Sequence, residues 1–408
     1  MNSTGSAQAG TRNNRRGSAV EVFLVFLKLG LTSFGGPIAH LGYFREAFVV
    51  RRRWLDEHAY ADLVGLCQFL PGPASSQVGF SIGLMRAGFL GAIAAWTAFT
   101  LPSAIALVLV ARGVGALNSP LGAGLLHGLK LVAVAIVAQA IWGMARTLCP
   151  DRQRASIAAG AALVVLYGSS SLGQISAIVL GGVLGLWFCR SVASTSVSEG
   201  HLGVPVSPRL AIAAVVAFFV LLAGSPLLRS LSASEPLAHF EAFYRSGALV
   251  FGGGHVVLPL LRESFVTPGW VTDDSFLAGY GAAQAVPGPL FSFAAYLGAI
   301  ADPSNFLAEA GLGLIGIFLP GMLILLGTLP FWDTLRRRAT ARALMAGINA
   351  AVVGILAAAL YNPVWTSAVK TPGDFGLALL GFVLLTVWRA PPLLVVVVTA
   401  LGGIVLAR

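Results

Sequence analysis

The chain has 408 residues, of which 57% are hydrophobic and only 10% are charged, and its formal net charge is +10. A soluble protein normally carries about 25% charged residues, so this composition excludes a water-soluble globular protein and predicts an all-α, polytopic membrane protein. Because the basic residues cluster in short loops, the positive charge indicates orientation in a lipid bilayer rather than binding of nucleic acid.

In chain order, residues 1–17 predict a disordered cytoplasmic tail, since they are polar and carry three arginines. We expect one homologous repeat over residues 18–190 and a second over residues 236–408. The linker 191–235 between them contains one apolar segment, at about 210–228, that is long enough to cross the membrane. Further crossing segments are predicted at 88–110, 125–145 and 306–326.

The segment Val20–Val50 lies between the basic tail and the basic Arg51–Arg53 loop. Each half of this segment is about 15 residues long, or roughly 22 Å as a helix, so it should enter the membrane and return on the same side. The bend would fall at Gly35-Gly36, because glycine accepts a positive φ and lets another group approach the backbone. A helix that starts after such a break presents N–H groups and a dipole that favour an anion.

A second re-entrant hairpin is predicted over Asp56–Arg86, bent at Pro71-Gly72-Pro73. Pro71 lacks an N–H donor and restricts the residue before it, whereas Pro73 suits the first turn of the next helix. The polar residues Ser75–Gln77 follow in that turn. Irregular backbone at membrane depth is tolerated only where it is buried in protein or lines a wet cavity, so both bends are predicted to do one or the other.

The same breaks recur in the same order in the second half of the chain. Phe34-Gly35-Gly36-Pro37 is repeated as Phe251-Gly252-Gly253-Gly254, and Gln68–Pro73 is repeated as Gln284–Pro289. Paired broken helices in two halves are typical of membrane transporters, which build their binding sites there. The repetition therefore predicts two equivalent halves with a shared site.

Loop charges indicate that the second half is inverted relative to the first. In three matched loop pairs the more basic member alternates between the halves, as the positive-inside rule requires of inverted repeats. The matched pairs are Arg51–Arg53 with Pro268-Gly269, Arg112 with Arg336–Arg342, and Arg146–Arg154 with Lys370. We therefore predict a cytoplasmic N-terminus, and a C-terminus on the outer side of the membrane, which is periplasmic or extracellular.

Small and polar residues at the four breaks make up the predicted substrate site, because N–H, hydroxyl and cationic groups suit an anion. The predicted binding residues are Lys28, Ser33, Gly35, Gly36, His40, Pro71, Gly72, Pro73, Ser75, Ser76, Gln77, Arg245, Gly252, Gly253, Gly254, His255, Gln284, Pro287, Gly288, Pro289 and Ser292. Other interpretations stay open: the breaks could be packing kinks, the cations could snorkel to the interface, the histidines could pack, and the glutamines could cap carbonyls.

Two adjacent pairs of opposite charge are also repeated, Arg45-Glu46 and Arg262-Glu263. Charged residues near membrane depth are costly, so these pairs are predicted to be structural partners or gate residues.

Catalytic and metal-binding motifs are missing from the sequence, which has neither a GxxxxGK[ST] loop nor an HExxH motif. The three cysteines, Cys67, Cys149 and Cys189, are widely spaced and predict neither a disulfide framework nor a metal site. We therefore predict a protein without a cofactor, a metal or an enzymatic activity.

The sequence resembles the chromate ion transporter (CHR) superfamily in its long, two-domain form. The matching stretches are Phe34–Pro37 with Ala39-His40, Leu70–Pro73 with Gln77, Phe251–His255, Val257–Leu260 and Gln284–Ala294. The resemblance covers nearly the whole chain outside the N-terminal tail. It implies a secondary carrier of the chromate dianion in bacterial inner membranes, usually conferring resistance by efflux, with sulfate as the natural competitor or counter-ion.

Together these features predict a carrier with inverted repeats that binds an oxyanion near the midplane and moves one repeat against the other. The alternatives are a carrier that takes up sulfate or another oxyanion, an anion channel, and a membrane enzyme acting on a lipid phosphate. A homodimer is left open.

Overall fold

The computed structural model describes residues 17–114, 120–168, 171–190, 206–232 and 234–406, so residues 1–16 of the predicted tail and residues 191–205 of the predicted linker lie outside the described residues. Within these ranges the chain is helical and has no strand. The α-helices are α1 Ala19–Thr32, α2 Gly36–Phe44, α3 Glu57–Phe69, α4 Ala74–Val114, α5 Pro120–Leu148, α6 Arg152–Tyr167, α7 Ser171–Phe188, α8 Pro208–Leu231, α9 Glu235–Ala248, α10 Val257–Phe265, α11 Asp273–Ala285, α12 Phe293–Ala301, α13 Phe306–Thr328, α14 Trp332–Arg337, α15 Ala339–Ala359, α16 Thr366–Ala368, α17 Pro372–Thr386 and α18 Pro392–Leu406.

Shorter helical segments extend several of these elements. Arg45–Arg51 continues α2 as a π-helix, and Leu360–Trp365 continues α15 in the same way. Three 3₁₀ segments lie at Gly254–Val256, Leu290–Ser292 and Leu329–Phe331. The first two of these 3₁₀ segments lead into α10 and α12, immediately after the breaks of the second repeat.

Five helical segments in the described part of the chain are long and apolar enough to cross a membrane. They are Ala74–Gly113, Leu121–Leu148, Pro208–Leu231, Phe306–Phe331 and Ala339–Ala368. All four apolar stretches predicted from the sequence fall within these segments. The prediction of an all-α polytopic membrane protein is therefore confirmed.

Both hairpins of the first repeat start and end at one place, which we call the first base. The Gly17 N–H donates to the Arg86 carbonyl at 3.0 Å, and the Arg86 side chain pairs with Glu21 at 3.2 Å. The Arg86 guanidinium also lies over the ring of Trp54, 5.0 Å from its centroid. Glu21 lies at the start of α1, Trp54 lies in the loop between the two hairpins, and Arg86 lies at the end of the second hairpin. Because Arg86 contacts both of the other residues, the chain leaves the first base and returns to it twice.

The second repeat has an equivalent base, which we call the second base. His239 of α9 lies 2.9 Å from Glu309 of α13, and its ring packs edge-on against Trp270 at 4.5 Å. Trp54 and Trp270 each precede their Pro-Gly-Pro break by seventeen residues. The unpaired helix α8 ends here as well, because the Arg229 guanidinium lies 5.7 Å from the Trp270 centroid.

The two bases lie on opposite sides of the molecule. After a kink at Ala87-Gly88, α4 runs away from the first base, and its Arg112 guanidinium lies 4.7 Å from the Phe306 ring centroid at the second base. From Gly88 to Arg112 a helix rises about 36 Å, slightly more than the hydrocarbon thickness of a bilayer. The repeats are therefore inverted with respect to each other, as the loop charges predict.

The remaining helices are exchanged between the repeats. Helix α5 of the first repeat packs against α17 and α18, whereas α15 of the second repeat packs against α6 and α7. Small residues permit these close contacts: a Cβ atom at Gly128 would collide with α18 at Ala400, and one at Gly347 would collide with α7 at Gly185. Because the contacts are reciprocal, the two sequence repeats share one core about a pseudo-two-fold axis.

Candidate anion site between the repeats

The four breaks meet at the centre of the molecule through two reciprocal hydrogen bonds. The Gly72 N–H donates to the Val250 carbonyl at 2.7 Å, and the Gly288 N–H donates to the Ser33 carbonyl at 3.0 Å. Each bond joins the Pro-Gly-Pro break of one repeat to the residue before the Phe-Gly-Gly motif of the other. The two bonds satisfy the Ser33 and Val250 carbonyl groups, which lie just after α1 and α9, across the pseudo-two-fold axis.

The second helical segment of every hairpin begins at this centre. Helices α2 and α4, and the 3₁₀ segments Gly254–Val256 and Leu290–Ser292, all start directly after a break. At the first Gly-Gly break, Gly35 and Gly36 have φ values of 100° and 77°, and no side chain caps α2. Four helix N-termini therefore point their positive dipole ends inward, and the first N–H groups of α2 lack an intrahelical acceptor.

The first Pro-Gly-Pro break is sealed by protein. Gln77 donates through Nε2 to the carbonyls of Pro71 and Gly321, at 2.9 and 2.8 Å. Gly72 lies so close to α13 that a Cβ atom on it would be 2.9 Å from the Gly321 Cα atom. Pro71, Gly72 and Pro73 are all buried, so this break holds the two repeats together.

The second Pro-Gly-Pro break is more open, because residues 284–288 are only partly buried. Ser292 lies in the first turn after it, with its Oγ atom 2.6 Å from the Ser103 Oγ atom. The Ser103 hydroxyl donates to the Thr100 carbonyl at 2.8 Å, which leaves the Ser292 hydroxyl to donate to Ser103. Sequence reasoning missed Ser103. The dipeptide Leu101-Pro102 just before it is repeated as Leu319-Pro320 and was an available signal.

His40 connects the two breaks of the first repeat. Its ring is fully buried, with Nε2 3.2 Å from the Ser33 carbonyl and Nδ1 3.4 Å from the Ser75 hydroxyl. The hydroxyl oxygens of Ser33 and Ser76 are buried and have no hydrogen-bond partner among the described residues. Predicted ligands that are far apart in sequence are thus brought together, with two hydroxyl groups free to bind a polar guest.

The second Gly-Gly break has different neighbours. His255 Nδ1 lies 2.7 Å from the hydroxyl of Tyr280, a buried residue for which the sequence offered no signal. A Cβ atom at Gly252 would be 3.4 Å from the Asn349 Oδ1 atom, which is buried and has no hydrogen-bond partner in the described chain. Pro37 would lie 3.2 Å from a Cβ atom at Gly254, so the two Gly-Gly breaks touch.

The two predicted cations are used differently from each other. Arg245 pairs through Nε with Glu241 at 2.9 Å, and Glu241 also pairs with Arg229 at 3.1 Å. Arg245 is therefore not a free charge beside the second Gly-Gly break. Lys28 is exposed on α1, so its ammonium group is not buried at the breaks.

The adjacent pair Arg45-Glu46 does not form the predicted ion pair. Arg45 Nε lies 2.7 Å from Glu57 Oε1, and Glu46 pairs instead with Arg51 at 2.8 Å. Neighbouring residues on a helix point in different directions, so the partner must come from another turn or element. The Arg45 guanidinium holds the pKa of Glu57 below its ordinary value through this hydrogen bond.

The second repeat forms the equivalent ion pair. Arg262 binds both carboxylate oxygens of Asp273, at 2.8 and 2.9 Å, while Glu263 accepts a hydrogen bond from Thr267 at 3.2 Å. In both repeats the arginine therefore joins the end of the first hairpin to the start of the second one. Sequence reasoning missed the acidic partners Glu57 and Asp273, although they occupy matching first-turn positions of α3 and α11.

A sequence profile of chromate transporters matches residues 20–186 and 237–404. The chain belongs to the chromate transporter family. The two matched regions coincide with the inverted repeats, so a family unit occurs twice in one polypeptide. In the described parts of this family member, no group of three His, Cys, Asp or Glu side chains is arranged to hold a metal ion.

Named relatives of the chromate transporter family span nearly the whole chain. The chromate transport protein of Pseudomonas aeruginosa is 28% identical over 397 residues, which cover 94% of this chain and 90% of that protein. A probable chromate transport protein of Synechococcus elongatus is 27% identical and covers 93% of each chain. The chromate transport protein of Cupriavidus metallidurans is 24% identical, covering 86% of this chain and 84% of that protein. No solved structure matches the chain.

Proposed function

We propose that this protein carries chromate across the bacterial inner membrane as a secondary transporter, with the binding site at the four meeting breaks. The observation that carries the proposal is the reciprocal pair of hydrogen bonds between Gly72 and Val250 and between Gly288 and Ser33. These bonds place four helix N-termini around one point near the midplane. Family membership and the names of the relatives support chromate as the substrate.

The donors at this point suit a tetrahedral dianion. The N–H groups of the first turn of α2 and the free hydroxyls of Ser33 and Ser76 are the proposed first contacts. The Ser292 hydroxyl would join them by giving up its bond to Ser103. Helix dipoles would stabilise the anion without a carboxylate, and Gly36 leaves room for it because no atom lies within 4 Å of a Cβ atom there.

Transport then requires the centre to open to each side in turn. We assign the movement to the re-entrant hairpins, in which the ion pair Arg45–Glu57 or Arg262–Asp273 joins the end of the first hairpin to the start of the second. The exchanged helices α5–α7 and α15–α18 would form the fixed frame, since their glycine contacts leave little freedom. This division corresponds to the movement of one bundle against another in transporters with inverted repeats.

The first base would face the cytoplasm, because the basic Arg51–Arg53 loop lies there, with the Arg52 guanidinium 5.7 Å from the Trp54 ring centroid. The N-terminus would then be cytoplasmic and the C-terminus periplasmic, and efflux would confer chromate resistance. Single cysteines in place of Arg52 and Arg337, in a chain lacking its native cysteines, should both be labelled only from the cytoplasm. Labelling of the two positions from opposite sides would contradict this orientation and the inverted arrangement of the repeats.

Flux of radiolabelled chromate and sulfate into proteoliposomes tests the function. We expect chromate uptake that is accelerated by chromate or sulfate on the opposite side, because a carrier exchanges its cargo and an anion channel does not. Flux without this acceleration would favour a channel. Faster sulfate than chromate flux would favour a sulfate carrier.

The site itself is tested by Gly36→Asn and Gly36→Leu. Asparagine tolerates the positive φ, so it fills the open space with little strain, whereas leucine adds strain as well. Both variants should insert normally and lose at least about tenfold of the chromate flux, as expected for one blocked binding group. The matched control is Gly42→Leu, on the same helix and also in open space, which should keep its flux. Chromate flux retained by Gly36→Leu would contradict the site.

A further inference from the structure

A groove runs between α6 and α7 on the outside of the exchanged helices. It has a volume of about 430 Å³ and is lined mainly by apolar and small residues, among them Ile157, Gly160, Val164, Leu184 and Phe188. Pockets of this size accept molecules with several buried apolar groups. Since α7 is an apolar helix and the lining of the groove is mainly apolar, an acyl chain of the surrounding lipid suits this groove.

One end of the groove is positively charged. Arg152, in the first turn of α6, lines this end together with Phe188, the last residue of α7. The nearby Arg154 is paired with Asp151 at 2.6 Å, whereas Arg152 is exposed and forms no ion pair with the residues that the structure describes. Arg190 follows two residues after Phe188 and is also exposed. Arg152 therefore places one positive charge at an end of the apolar groove, whereas Arg190 donates through Nε to the Leu186 carbonyl at 2.6 Å.

The equivalent helices of the second repeat contact each other through leucine side chains. The Leu377 side chain would lie 2.6 Å from a Cβ atom at Gly402, and the Leu406 side chain 2.8 Å from one at Gly373. No atom lies within 4 Å of a Cβ atom at Gly160, which lines the groove of the first repeat. The two pairs of helices therefore pack differently despite the duplicated scaffold.

We propose that this groove binds an anionic phospholipid, with one acyl chain between α6 and α7 and the phosphate group at Arg152. Basic pockets at the cytoplasmic ends of membrane helices recognise such headgroups by charge, and a zwitterionic lipid would gain little from them. Gly181 lines the groove and also packs against Gly347 of α15. A bound lipid would therefore steady the helix that carries Asn349 beside the second Gly-Gly break.

Native mass spectrometry of the detergent-purified full chain tests the proposal with phosphatidylglycerol, cardiolipin and phosphatidylcholine as probes. We expect one anionic lipid to bind more tightly than phosphatidylcholine. Arg152→Gln should weaken that binding about fivefold, the effect of one basic residue near a phosphate. Arg209→Gln, which removes an exposed arginine from the first turn of α8, is the matched control and should leave the affinity unchanged.

The apolar part of the groove is tested by Gly160→Leu, which fills it without a collision because no atom lies within 4 Å of a Cβ atom there. Gly376→Leu is the control at an equally open position of α17. We expect only Gly160→Leu to lose the tight lipid. Dihexanoyl phosphatidylglycerol, with the same headgroup but short chains, should bind more weakly than the long-chain lipid.

Three results would overturn the proposal. Equal affinities for phosphatidylcholine and phosphatidylglycerol would mean that charge plays no part. Unchanged lipid binding by both Arg152→Gln and Gly160→Leu would place the lipid elsewhere. Conversion of a dimer to a monomer by Gly160→Leu, without loss of bound lipid, would mean that a second copy of the chain occupies the groove.

Discussion

The two Pro-Gly-Pro breaks have the same sequence pattern but different surroundings. The first is buried and closed by Gln77, which bonds to its own break and to Gly321 of the other repeat. The second is partly open and carries Ser292, which bonds to Ser103 in the position that corresponds to Gly321. The two breaks thus share the backbone geometry of the duplicated unit but differ in their side chains. The first break joins the two repeats, and the second break borders the proposed site.

The largest expected difference in stability between the two Pro-Gly-Pro breaks comes from replacing the glycine of each break with alanine. Gly72→Ala should destabilise the protein by about 3 kcal/mol, because its φ is 114° and its Cβ atom would meet the backbone of Gly321. Gly288→Ala, with a φ of 108°, should cost only about 1–2 kcal/mol, since the Cβ atom would meet the movable Ser103 side chain.

Thermal unfolding of both variants in detergent would measure this difference. Adding Ser103→Gly to Gly288→Ala should recover part of the lost stability, because the obstructing hydroxyl is removed. Equal destabilisation by the two alanine variants, or no recovery in the double variant, would show that the two breaks are equivalent joints after all.

A smaller difference is expected between the polar residues after the breaks. Gln77→Leu removes two buried hydrogen bonds and should lower the free energy of unfolding by about 2 kcal/mol. Ser292→Ala removes one and should lower it by about 1 kcal/mol, while reducing chromate flux more than its stability alone explains. Gln68→Leu, at an exposed position before the first break, is the control.

Unfolding midpoints and flux rates should be measured on the same protein preparations. If Gln77→Leu reduced flux without changing stability, Gln77 would be a substrate ligand and not a structural joint between the repeats. Normal flux in Ser292→Ala would remove Ser292 from the proposed contacts.

The smallest difference is expected at the two ion pairs. Arg262→Gln should cost about 1 kcal/mol or less, since Asp273 is bound through two parallel bonds at a partly buried position. Arg45→Gln should cost less than Arg262→Gln, because Arg45 and Glu57 are both about half exposed and solvent screens their attraction.

The lowered pKa of Glu57 adds a pH dependence to this pair. Its contribution should be present above the ordinary pKa of a glutamate and be lost as the pH falls through the lowered value. Unfolding midpoints of the wild type and Arg45→Gln between neutral and acidic pH would measure it. A difference that grew on acidification would contradict this assignment.

Much of the architecture could be predicted because its signals are local. Glycine and proline residues mark each of the four breaks, and loop arginines indicate the orientation of each half. The partners of individual side chains could not be predicted in the same way. Arg45 stands next to Glu46 in sequence but binds Glu57, and Ser103 meets Ser292 only because the repeats pack against each other.

The exchange of helices between the repeats has a consequence for synthesis of the chain. Helices α6 and α7 enter the membrane long before α15, against which their small residues pack. Until α15 arrives, the first half lacks its permanent neighbour, and neither half can complete its packing without the other. Two separately expressed halves should therefore be unstable alone but assemble when produced together. In the assembled protein α5 would pack against α17 and α18, and α15 would pack against α6 and α7.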